Sequence, residues 1–197
     1  MDQFGLQEAT VRLLISYLAQ GALGLMMFLV LSHFSRIYVR RFLRSWSRSW
    51  LAFFLFALST AGLVLLNTEA KNWLNILLNI CSQLGSFFHI IFILLGSYKL
   101  VFSNPVSRRT TTFVVYSTLA LALITVLPFS WDPELHTSRY VLRLCSRSII
   151  SGAGFLFASA VVWTNPKFTR GYGQKILAFS FLIFSLYQFS YLSVIFS

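Results

Sequence analysis

The stretch RIYVRRFLRSWSRSWLAFFLF, Arg36 to Phe56, decides how the whole chain is read. Five arginines (Arg36, Arg40, Arg41, Arg44 and Arg48) fall within thirteen residues, and the chain then runs directly into sequence with almost no polar groups. Dense positive charge set hard against apolar sequence is what a membrane protein shows where a spanning helix leaves the cytoplasmic loop that orients it. Arg41, Arg44 and Arg48 stand at i, i+3 and i+7, and Trp46 and Trp50 stand four apart on another face. The spacing predicts a helix that begins near Arg40, with a basic stem leading into the second span. It also places both indoles at headgroup level, where amphipathic rings are favoured. Each basic group close to anionic lipid contributes on the order of 1 kcal/mol. Topology signal and lipid anchor are therefore the plain roles of these arginines, with a docking helix for a partner as the other.

The composition carries the same message along the whole chain. Hydrophobic residues make up 57% of the 197 and charged residues 11%, and the mean hydropathy is +0.73. A water-soluble domain carries roughly 25% charged residues, so most of this surface has too little polar sequence to face water. A membrane-crossing helix needs roughly 17–25 mainly apolar residues. Six segments qualify: 11–34, 49–66, 73–99, 112–127, 141–163 and 176–196. The fold class expected is all-α, a polytopic transmembrane bundle of about six spanning helices forming a single domain. Short connections carrying Asn104-Pro105, Pro128, Asp132-Pro133, Asn165-Pro166 and Gly171-Tyr172-Gly173 separate the spans.

Charge is sorted between those connections. Eleven of the 16 basic residues lie in the first, third and fifth; all five acidic residues lie in the amino-terminal tail or in the second and fourth. The positive-inside rule then puts the amino terminus outside and the chain in a plasma membrane, the bacterial inner membrane, as a multi-pass protein. The net charge of +11 does not argue for nucleic acid, because the basic residues form short clusters between apolar runs. The opening MDQFGLQEAT lacks the basic start of a signal peptide. Cys81 and Cys145 fall inside apolar segments and read as small buried hydrophobes.

No Asp or Glu falls in a predicted span, and His33, His89 and His136 have no metal-ligand spacing. GYGQK, Gly171–Lys175, follows no strand and reads as a turn. Catalysis, metals and cofactors are therefore not expected of these residues. The spans offer uncharged polar groups and two arginines instead. Asn75, Asn79, Ser82, Ser86 and His89 recur at helical spacing in the third span, with Gln83 beside them. This stripe must face the bundle interior, as interhelical hydrogen bonds or as the wall of a ligand site. Arg143 and Arg147 share a face of the fifth span, either snorkelling to the headgroups or pairing with an anionic group. Gln188 and Tyr191 lie near the end of the sixth, as a ligand contact or an interfacial belt. His89 reads as a packed, hydrogen-bonded histidine, and Gly21 to Gly24 as a site of close helix packing. Asn75, Asn79, Gln83, Arg143, Arg147, Gln188 and Tyr191 all fall between the outer interface and mid-membrane. That shared depth predicts a ligand cavity in the outer half.

Three stretches carry a resemblance. RRFLRSWSRSWLAFFLFALS (40–59), LRLCSRSIISGAGFLFASAVVW (142–163) and GQKILAFSFLIFSLYQFSYL (173–192) together resemble the multi-span sensory regions that precede diguanylate cyclase or histidine kinase domains in bacterial signalling proteins. The resemblance implies a sensor for a small amphipathic or anionic molecule. It also implies a further span leading to a cytoplasmic output domain, with any catalysis there. The sequence contains no GGDEF or EAL string. Partners expected are the lipid bilayer, a small-molecule ligand, and a second copy or an output domain. The competing reading is a small transporter or channel subunit, which predicts a polar path through to the cytoplasmic face. A structural or assembly partner is the third.

Overall fold

The computed structural model describes residues 3–38, 40–66, 73–102, 106–127, 136–164 and 172–196. All regular structure in them is helical. Six helices follow in order: α1 (Gln3–Ile37), α2 (Arg41–Leu65), α3 (Trp73–Val101), α4 (Arg108–Val126), α5 (His136–Trp163) and α6 (Tyr172–Phe196). The first five are long and apolar enough to cross a membrane; in α6 the apolar stretch over the described side chains is shorter, Lys175–Ser190. At 1.5 Å per residue, the 25 residues of α2 reach about 37 Å, more than the ~30 Å of a bilayer's hydrocarbon core.

α2 begins at Arg41, after an extended Arg40, so the basic stem is part of the helix, as the arginine spacing predicts. α4 begins at Arg108, four residues before its apolar run. There the Ser107 hydroxyl accepts from the Thr110 amide at 3.1 Å, which satisfies one of the free donors of the first turn. Capping, rather than hydrophobicity, sets that boundary.

The burial pattern is the reverse of a soluble protein's. The buried face of α2 is Ser45, Ser47, Ser49, Ala52, Phe56, Ala57, Ser59 and Ala61, while its Leu55, Leu58, Leu65 and Leu66 are exposed. α1 exposes Leu13, Ile15, Leu18, Leu23, Met26 and Leu29, and α4 exposes Phe113, Tyr116 and Ile124. Lipid tails are as apolar as leucine, so nothing drives large side chains inward. Helices associate instead through small residues that let backbones meet and through hydrogen bonds. A bundle with serine inside and leucine outside is built for a bilayer. The chain is a multi-pass helical membrane protein.

α2 is sandwiched. Residues 45, 49, 52, 56 and 59, spaced four, three, four and three, face α3. On another flank, Gly21 of α1 lies over Ala57 and Phe54, and Gly24 over Phe53 and Phe54. Helix α3 is gripped still more closely: a Cβ added at Gly85 would lie 2.7 Å from the Phe56 amide nitrogen and 2.8 Å from the Ala52 carbonyl oxygen. Only glycine permits that approach. At the next contact, Gly96 makes room for the Trp46 indole, which donates to the Ile93 carbonyl at 3.4 Å.

α3 also lies against α5. Gln83 meets Ser146, His89 meets Phe155, and Ile90 fills the space above Gly154. These pairs advance in the same direction along both chains, so α3 and α5 run parallel, as two helices separated by a returning crossing must. α6 returns antiparallel to α5. Ser159 donates to the Ala178 carbonyl at 2.7 Å, and Ser185 to the Gly152 carbonyl at 2.8 Å. Ile90, Ile93, Phe155, Ala158, Val162, Ala178 and Phe181 form the apolar core, with Trp46 against it. α4 sits at the edge, touching α3 and, less extensively, α5.

Candidate functional site

The start of α2 and the end of α3 meet at one end of the bundle, the basic end. Both tryptophans of the stem lie there half-buried and turned inward. Trp46 packs edge-on against Phe181 at 6.2 Å, and Trp50 lies 5.6 Å from the His89 ring. Their headgroup level is a statement about depth; their direction is toward the bundle. Arg36, Arg40, Arg41, Arg44 and Arg48 are exposed.

One helical turn deeper, Ser49 and His89 clamp each other. The Ser49 hydroxyl donates to the His89 carbonyl at 2.7 Å. His89 Nδ1 is 2.8 Å from Ser49 Oγ and 3.1 Å from the Ser49 carbonyl oxygen. A carbonyl only accepts and the hydroxyl proton is already used, so this network assigns the ring proton to Nδ1. Trp50, Phe53 and Phe155 enclose the ring, with centroids 5.6, 5.0 and 5.9 Å away. His89 is a buried interhelical tie.

Beyond the Gly85 contact, four helices bring polar groups to a second level. Gln83, 5% exposed, donates through Nε2 to Ser146 Oγ at 3.2 Å. Thr60 and Ser82 hydroxyls are 2.9 Å apart. The Arg147 guanidinium lies over the Phe56 ring, 4.8 Å from its centroid, and Tyr17 of α1 meets that ring edge-on at 6.3 Å. A cation over an aromatic face is stabilised by about 0.5–2 kcal/mol, according to how dry the site is. Arg147 is therefore turned across the bundle toward α2. It stands two residues inside the apolar window Cys145–Trp163, about 3 Å along the helix axis from its edge. Its neighbour Ser148 is fully buried and its hydroxyl has no hydrogen-bond partner. A buried unsatisfied hydroxyl costs about 1–3 kcal/mol.

Charge balance singles out this level. Glu8 is the sole acidic residue among those described, and it pairs with Arg12 at 2.6 Å on the exposed start of α1. Arg147 therefore has no carboxylate partner among the described residues. A guanidinium offers a planar fork of donors matched to carboxylate or phosphate oxygens. With the Gln83 amide and the hydroxyls of Ser146 and Ser148 close by in sequence or space, the level is suited to an anionic head carrying an apolar tail.

The residues singled out from sequence divide into three groups. Asn75, Asn79 and Gln83 are buried, at 7%, 5% and 5% exposure, so the stripe does face inward. Its two asparagines also serve each other: Asn79 Nδ2 donates to the Asn75 carbonyl at 2.9 Å and to Asn75 Oδ1 at 2.7 Å. Gln83 and Arg147 belong to the same level. Gln188 is half-buried on α6, with no contact to either of them among those described. The side chains of Arg143 and Tyr191 lie outside the described residues. Cys81 and Cys145 are free thiols and half-buried, less enclosed than the reading as buried hydrophobes expects. Sequence reading missed Phe56, Thr60, Ser146 and Ser148. Phe56 carries no signal among 21 phenylalanines, whereas Ser146 and Ser148 flank Arg147 and could have been found. Compared with family models, with curated proteins and with solved structures, the chain matches none.

Proposed function

We propose that the chain is the membrane-embedded, ligand-binding region of a bacterial signal-transduction protein, seated in the inner membrane with its basic end in the cytoplasm. In this orientation the level of Gln83 and Arg147 lies in the outer half of the bilayer. The ligand is a small amphipathic anion whose head meets the Arg147 guanidinium. One observation carries the reading: an arginine inside an apolar helix faces across the bundle to Phe56 without a carboxylate partner among the described residues. Placing an arginine at the centre of a spanning helix costs about 2.5–3.5 kcal/mol on insertion scales. An intramembrane cation with no anion is a binding-site signal by default.

The α2–α3 seam favours sensing over transport. A permeation path needs polar groups continuing to the basic end, and the seam does carry polar pairs on both sides of Gly85. Between them the backbones of α2 and α3 touch, and even one added carbon at Gly85 would be too close to Phe56 and Ala52. This seam is shut to water at mid-depth. Ligand binding at Arg147 acts on α5 and α2 together, and it biases their relative position only by its differential affinity for two arrangements.

The test is equilibrium binding of a fluorescent long-chain carboxylate to the chain in neutral phosphatidylcholine nanodiscs. Arg147→Met is expected to weaken binding at least tenfold with Tm unchanged, and Gln83→Leu to weaken it less. Wild-type affinity in Arg147→Met would remove the site. Carboxylate-dependent flux in proteoliposomes would assign the chain to the transporters.

A further inference from the structure

The basic end holds a feature that the outer-half site does not use. Lys99, in the last turn of α3, donates from Nζ to Ser45 Oγ at 2.8 Å. Ser45 is 3% exposed, so the ammonium is held by a buried hydroxyl. A lysine at a helix C-terminus is ordinarily explained by the last carbonyls of its own helix; this one reaches across to α2 instead. There it joins Arg41, Arg44 and Arg48, whose positive fields all act on it. Arg41, Arg44, Ser45 and Arg48 stand at i, i+3, i+4 and i+7 and so share one face of α2. No carboxylate pairs with any of them among the described residues.

The backbone adds to the same deficit. Arg40 precedes α2 in an extended conformation and makes no side-chain hydrogen bond to cap it. The first N–H groups of a helix have no partner within it, and the positive end of the helix dipole lies there. Like charges crowded at low-dielectric depth repel, and diffuse attraction to a charged membrane does not require a lysine to be drawn onto a buried serine beside three arginines. Side-chain cations from two helices, with open amides between them, match a tetrahedral oxyanion.

We propose that the basic end of the bundle is a binding site for a phosphate group, held by Lys99, Arg44 and Arg48 against the first turn of α2. The phosphate is either that of an anionic lipid headgroup or a soluble phosphate reaching the same face. The site is independent of the function proposed for the Arg147 level and stands whichever way that reading falls.

The full-length chain in detergent micelles is titrated with phosphatidylglycerol and with phosphatidylcholine, and lipid adducts are counted by native mass spectrometry. A parallel arm follows Tm in inorganic phosphate and asks whether phosphate displaces phosphatidylglycerol. One phosphatidylglycerol is expected to remain bound with at least tenfold preference over phosphatidylcholine. Lys99→Gln and the exposed Arg44→Gln should each cut retention about fivefold, while Arg36→Gln on α1 leaves it unchanged. Retention that millimolar phosphate does not displace assigns the site to headgroups. A Tm rise with phosphate, and displacement of the lipid, assigns it to soluble phosphate. Equal losses in Arg36→Gln and Arg44→Gln would reduce the site to diffuse attraction and overturn the proposal. So would the absence of both a lipid preference and a Tm response. Arg44 is on the surface, so its variant keeps the question answerable even if Lys99→Gln does not fold.

Discussion

The bundle treats polar groups in two ways, and the Gly85 contact divides them. On its basic side, Ser49 and His89 exchange hydrogen bonds in both directions, and aromatic rings from α2 and α5 close over the pair. On its far side, Gln83 has a single bond of 3.2 Å to Ser146, Arg147 has an aromatic face in place of an anion, and Ser148 has no partner. A satisfied polar pair in a dry bundle acts as a structural tie. A half-satisfied level with a net positive charge holds free energy that a ligand can release. The comparison teaches where to look for function in a membrane bundle: at polar groups left incompletely matched, more than at the most polar contact.

The largest effect is expected at the divide itself. Gly85→Leu forces side-chain carbon against the α2 backbone, and the strain should lower stability by about 3 kcal/mol, read as a collapse of Tm in detergent. A Tm within a few degrees of wild type would mean that α2 and α3 are not in backbone contact. On the basic side, His89→Ala removes a ring packed among three others together with its bond to Ser49. The expected loss is about 2 kcal/mol, with carboxylate binding unchanged. Any parallel loss of binding would blur the distinction between the two sides.

On the far side the order reverses. Arg147→Met replaces a charge without a partner by an apolar chain of similar length, which is often neutral or stabilising. Its stability change should be near zero while binding of a long-chain carboxylate falls at least tenfold. A large destabilisation would instead make Arg147 a structural tie like His89. The smallest effect is expected at Thr60→Val, which breaks the 2.9 Å contact with Ser82. Interhelical hydrogen bonds in membranes are typically worth about 0.6 kcal/mol, so the shift in chemical-unfolding midpoint should be barely measurable.

Much of the architecture was legible because hydrocarbon imposes simple rules. Five arginines beside an apolar run announced a spanning helix with a basic stem, and α2 does begin at Arg41. Polar residues in an otherwise apolar span show their periodicity plainly, so the inward stripe of α3 could be read before its neighbours were known. The neighbours themselves could not. Parallel packing of α3 on α5 depends on where small residues let backbones approach, and Gly154 beneath Ile90 carries that information only in three dimensions. The serines at 45, 47 and 49 were hidden because alternation obscures helical faces. Ser45 and Ser49 turn to α3, whereas Ser47 donates to the Phe28 carbonyl of α1 at 3.3 Å. Of the expected outer-half cluster, Gln83 and Arg147 share a level and Gln188 stands apart. Depth can be counted along a sequence; which side of a helix meets which partner cannot.

Everything functional in this account depends on which side of the membrane the Arg147 level occupies. Single cysteines placed at Glu69, Asp132, Arg40 and Arg108 in a cysteine-free background, then labelled on intact cells with a membrane-impermeant maleimide, measure that directly. Labelling at 69 and 132 with protection at 40 and 108 is the predicted result, and it puts Arg147 in the outer half. The opposite pattern would put the unpaired arginine on the cytoplasmic side and contradict the proposed sensing of an external ligand.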